Sequence, residues 1–114
     1  METRRAEVRR LVAVVVLATT RADVNGVVRR RLEARKATFA AMDVAVAETG
    51  MEYGGITPLG LPAGWPVLVD AAVAASGGVV IGSGVRRSKL LLPGAALLEV
   101  PGAECVEGLA RPVG

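Results

Sequence analysis

Histidine is absent from this 114-residue chain, cysteine occurs once, and aromatic residues make up only 3%. Without histidine there is no His-dependent catalytic triad, and with a single cysteine a conventional zinc site is excluded. Cys105 allows no intrachain disulfide, which fits a reducing cytoplasm; as a lone cysteine it reads as core filler rather than nucleophile. No apolar run approaches the ~18–20 residues of a membrane span, so no membrane partner is expected. With so few aromatics, the 52% hydrophobic content is carried by Val, Leu, Ala and Ile, which implies an aliphatic core and argues against disorder. The length suits one domain over residues 1–114, burying roughly two-thirds of its unfolded surface.

What the chain does have is arginine. Twelve of its fourteen basic residues are Arg, and the net charge of +3 is unevenly spread. Residues 1–36 carry ten basic residues against four acids, whereas residues 37–114 carry four against seven. Arg suits bidentate phosphate contacts, so one reading is an RNA-facing N-terminal region. The other is an Arg-rich coding bias displayed on solvated helix faces.

Arg4, Arg5, Arg9 and Arg10 precede the run LVAVVVLA (11–18). A basic stretch before an apolar one resembles a signal peptide, but this run is short, β-branched and lacks a small-residue cleavage site. A buried strand accounts for it better. Asp23 can cap a helix that places Val24, Val27, Val28 and Leu32 on one face and Arg29, Arg30 and Arg31 outside. A short strand is expected at ATFA (37–40), and MDVAVAET (42–49) reads as a helix closed by Gly50. Strands follow at PVLVD (66–70), GVVIG (78–82) and KLLL (89–92), with a short helix at DAAVAA (70–75) and another opening at Pro93. AECVEGL (103–109) alternates as a final strand. Strands and short helices without a regular βαβ rhythm predict an α+β fold with a mixed, mostly antiparallel sheet or partial barrel.

Chemistry is sparse. GSGVRR (82–87) follows a strand, but Arg87 stands where a dinucleotide fingerprint needs its third glycine, and no acidic ribose ligand follows. Gly82, Ser83 and Gly84 form either a plain turn or a set of backbone N–H groups open to an anion or carbonyl. The carboxylates show no acid–base pairing, and Asp23 and Asp70 suit capping positions. Thr57 and Ser83 are hydroxyls in glycine-rich loops with no base beside them. An enzyme built this way would stabilise charge with backbone amides. The stretch GGITPLGLPAGWP (54–66), seven of whose thirteen residues are Gly or Pro, is the natural place for them.

Three segments, TGMEYGGITPLGLPAGWPVLVDAAV (49–73), VVIGSGVRRSKLLL (79–92) and PGAECVEGLA (101–110), resemble the YbaK/prolyl-tRNA-synthetase-associated domain family in order and spacing, the likeness running over about 11–110. Its signature G-x-x-x-P corresponds to Gly54 to Pro58. The resemblance implies a domain that removes wrong amino acids from tRNA without a cofactor, most readily Cys- or Ala-tRNA(Pro). The partners it implies are the aminoacylated tRNA 3′ end and prolyl-tRNA synthetase. It places Gly54, Gly55, Thr57 and Pro58 in a pocket loop that offers backbone groups to the substrate. Gly82, Ser83 and Gly84 would form the opposite wall, with Arg86 and Lys89 holding terminal phosphates or ribose. Hydrolysis in the family uses a water held by the substrate's own ribose hydroxyl and by backbone groups, which is compatible with a chain lacking histidine.

The sequence departs from that pattern twice. The family's upstream helix and lysine-bearing strand have no counterpart, since the lysines here are Lys36 and Lys89. Arg87 stands where Gly is usual. A non-catalytic tRNA- or aminoacyl-binding remnant, or an incomplete domain whose METRRAEVRR (1–10) replaces the lost segment, is therefore the alternative. Missing elements would expose sheet residues such as Val14 and Val16 and favour self-association.

Overall fold

The computed structural model describes residues 2–5, 8–52, 55–62, 64–85 and 89–112. Gly54 and Arg86, expected in the site, and Arg87 lie outside the described residues.

The architecture is organised around one strand. In β6 (Val67–Asp70) every residue is buried, and the strand runs parallel to β3 (Ala13–Val15) on one side and to β9 (Ala103–Val106) on the other. A continuous apolar run such as VLVD is what a parallel strand covered on both faces requires. Side chains alternate across it. Leu68 packs with Val12, Val28, Val106 and Leu109, whereas Val67 and Val69 pack with Val73 and Leu97 on the other face.

Around this core lie antiparallel pairs. β1 (Glu2–Arg5) lies between β2 (Val8–Leu11) and β5 (Lys36–Thr38), β4 (Thr20–Ala22) pairs with β10 (Ala110–Pro112), and β7 (Val79–Gly82) pairs with β8 (Lys89–Leu92). The fold is α+β with mixed sheets, antiparallel in most of its ladders. The apolar run 11–18 does not form the single strand expected of it. It divides at Val12 between β2 and β3, which belong to different sheets, because the buried Val12 turns the chain from one to the other.

Helical segments are short and locally dictated. The Asp23 carboxylate accepts a hydrogen bond from the Gly26 N–H at 3.1 Å and caps a π-helical turn, Val24–Val28, that continues as α1 (Arg29–Arg31). α2 (Met42–Thr49) ends at Gly50, whose φ of 69° is left-handed. Asp70 caps α3 (Ala71–Ala74), and a 3₁₀ helix spans Gly94–Glu99 after Pro93. Among the described residues no helix is long and apolar enough to cross a membrane.

Three expectations need correction. Cys105 is exposed rather than core filler, because it lies on β9 at the edge of its sheet. Val14 and Val16 are partly buried against the Leu68 cluster, covered by the 24–32 segment. Exposed apolar side chains lie instead at Phe39 and Met42 and on the β7–β8 pair, where Val80 and Leu91 are register partners, 66% and 76% exposed. The last strand stops at Val106, and the chain then turns into β10, for which the sequence offers only three residues of weak pattern.

The Asp23 cap carries a pH dependence. Desolvation opposes ionisation, but the Arg111 side chain, donating from Nη2 at 3.0 Å, and the Gly26 and Val27 backbone N–H groups outweigh it and hold the carboxyl below its ordinary 3.8. A depressed carboxylate stabilises the fold above the unfolded-state value and loses that contribution as pH falls through the folded one. Urea melts between about pH 2 and 5 are expected to show this acid-side loss in the native chain and a shallower one in Arg111→Ala.

Candidate functional site

Two glycine-bearing loops meet backbone to backbone. After Gly50 ends α2, the Thr49 hydroxyl accepts from the Met51 N–H at 3.2 Å, which starts the first loop. Gly55 N–H donates to Glu52 O at 2.9 Å. The second loop, after β7, then locks onto it: Glu52 N–H donates to Gly84 O at 3.0 Å, and Gly84 N–H donates to Gly55 O at 2.8 Å. A Cβ on Gly82 would stand 2.7 Å from both Gly55 O and Ile56 O. Only glycine admits that approach. Gly84 has a φ of 95°, a further reason for its lack of a side chain.

The first loop then borders a cavity of about 230 Å³. Its walls include Ala13–Val15 of β3, Ala45 and Thr49 of α2, Ile56 to Pro58, Leu61 and Trp65. No ionisable side chain is among the described lining residues. Thr57 is 5% exposed, and its N–H reaches the Met51 Sδ at 3.4 Å, a weak acceptor. Its Oγ1 is buried without a hydrogen-bond partner among the described residues.

Thr57 and Pro58 line this cavity, whereas Gly55, just before them on the same loop, does not. Gly82, Ser83 and Gly84 are brought to the same loop but not to the opposite side of the cavity, for none lines it. They brace the loop edge to edge, and the facing wall comes from β3 and α2. Lys89 opens β8 as the register partner of Gly82 and is exposed. Ala45, Thr49 and Trp65 were not anticipated. The first two sit on a helix of low amphipathicity, but Trp65 had a signal, as the chain's one tryptophan within a Gly/Pro run.

Residues 3–100 match the family model of the aminoacyl-tRNA editing domain. The chain belongs to that family. The editing domain shares its fold with several solved structures. One is a scaffold used for computational grafting of linear epitopes, with a TM-score of 0.78, 20% identity, and coverage of 98% of this chain and 69% of the other. Another is the hypothetical protein APE2540, with a TM-score of 0.80, 23% identity and coverage of 96% and 70%. A third is a candidate trans-editing enzyme for prolyl tRNA synthetase, with a TM-score of 0.75, 21% identity and coverage of 93% and 65%. No curated protein sequence matches the chain.

An orphaned buried hydroxyl costs about 1–3 kcal/mol. Thr57→Val is therefore expected to raise stability by about 1 kcal/mol, seen as a higher urea midpoint at unchanged slope. A lower midpoint would reveal a partner for the hydroxyl.

Proposed function

We propose that this editing domain acts in trans to hydrolyse the ester of mischarged aminoacyl-tRNA, with Cys- or Ala-tRNA(Pro) as its substrates. The observation that carries the reading is the loop 55–58, braced by 82–84 and bordering a cavity beside β3 and α2 whose described lining residues carry no ionisable side chain. An amino-acid side chain enters the cavity, and the ester carbonyl lies over the loop. The reaction then needs a positioned water and a donor for the developing oxyanion. The Thr57 N–H is engaged only by a thioether, so an oxyanion can claim it at little loss. The water is held by the substrate's own ribose hydroxyl and by backbone groups, as the family resemblance implies. Arg86 and Lys89 contact the terminal phosphates or ribose. The setting is the cytoplasm beside prolyl-tRNA synthetase, with self-association through exposed sheet surface.

Purified protein incubated with Ala-, Cys- and Ser-charged tRNA tests this directly. Faster loss of the amino acid than in buffer is expected, and no acceleration with any of the three would sink the reading. One observation favours a second reading, a non-catalytic aminoacyl-tRNA binder: Lys89 does not line the cavity. Salt-sensitive tRNA binding without turnover would select it.

A further inference from the structure

We propose that a second cavity, beside the aminoacyl one, seats the terminal adenosine of the tRNA with its base stacked on Trp65; this rests on the deacylase reading above. The cavity holds about 400 Å³, within the roughly 300–1,000 Å³ of small-ligand sites. It shares Pro58, Leu61 and Trp65 with the aminoacyl cavity, so the two adjoin at these residues and a ligand lying across them would occupy both. That is the connectivity of an aminoacyl-adenosine, in which the amino acid is esterified to the ribose that carries the base.

The chemistry of the walls agrees. Four prolines and three glycines are among the described lining residues, together with Trp65, and none of those residues is ionisable. Such walls present flat apolar faces and backbone carbonyls, which suit a neutral aromatic base better than a phosphate or a charged side chain. Trp65 is also held in place. Pro62 and Pro66 limit φ on either side of it. The Trp65 N–H donates to Pro62 O at 3.4 Å, and Gly102, at φ 82°, approaches so closely that a Cβ there would lie 2.7 Å from Trp65 O. A half-buried indole fixed at its backbone is a platform ready for stacking, with little ordering left to lose on binding.

Because Trp65 is the only tryptophan of the chain, its fluorescence reports this ring alone. Titration with adenosine 5′-monophosphate is expected to quench it saturably, with cytidine 5′-monophosphate weaker. Stacking is worth about 1–3 kcal/mol per base, so Trp65→Leu should lower kcat/KM for mischarged tRNA between about five- and 150-fold, while Trp65→Phe keeps most of it. Circular dichroism confirms that both variants fold. Absence of saturable quenching in the native chain overturns the proposal, even if deacylation is intact. Quenching by a proline-rich peptide but not by the nucleotide overturns it too, in favour of a peptide groove. Saturable quenching without deacylation of any charged tRNA supports the base site and sinks only the catalytic reading.

Discussion

Gly94→Ala is expected to lower stability by about 3 kcal/mol or more, a fall in Tm of roughly 10 °C for a chain this size. Gly94 is buried at the start of the 3₁₀ helix, where its N–H donates to Ser76 O at 3.0 Å. A Cβ at this position would fall 1.9 Å from Val73 O and 2.8 Å from Ser76 O. Both are backbone atoms at the end of α3, so no side chain can rotate away. Relief requires pulling the 3₁₀ helix off α3, which opens the cluster of Val67, Val69, Val73 and Leu97. Thermal and urea melts against the native chain measure the effect. A Tm within a degree or two of the native value would mean that the two segments are not packed this closely.

Gly82→Ala is expected to have its largest effect on activity. Its Cβ would meet the Gly55 and Ile56 carbonyl oxygens at 2.7 Å each and force the two loops apart. Stability should fall by about 1–3 kcal/mol, as for other overpacked sites. The pocket loop, released from Gly84, would shift by a fraction of an ångström to an ångström, and a displacement of ~1 Å can cost ~100-fold in rate. The expected result is therefore a cooperative melt at a lower midpoint together with deacylation reduced about 100-fold. Native-like deacylation by a folded Gly82→Ala variant would show that the brace does not position the loop. Because Gly82 does not line the cavity, loss of activity here reports on loop position rather than on a direct contact with substrate.

Much of this could be read from sequence, for identifiable reasons. α2 and its Gly50 terminus, β6, β7 and β8 all fall where the pattern places them, because each is set by its own residues and punctuation. The caps at Asp23 and Asp70 are equally local. What depended on distant partners was not legible. An apolar run such as 11–18 signals burial but not the number of sheets that share it. The pairing of β4 with β10 joins segments whose own patterns are unremarkable. Cys105 alternates like a core residue, yet only the sheet order reveals that β9 is at an edge. At the site, Gly82 and Gly84 signal a turn or open backbone N–H groups, but not that the backbone of the other loop packs against them.

The strand order has a consequence for how the chain acquires its structure. β6 completes its ladders only with β9, and β4 only with β10, so both pairings wait for residues beyond 102. Closing such long loops is entropically costly, and folds rich in distant pairings form slowly. On a ribosome, β6 would emerge with one flank unoccupied and remain so until residues 103–106 are released. Cooperative folding is thus tied to the release of residues 103–112, and the unfilled edge of β6 is the surface that a holding chaperone would have to cover in the interval.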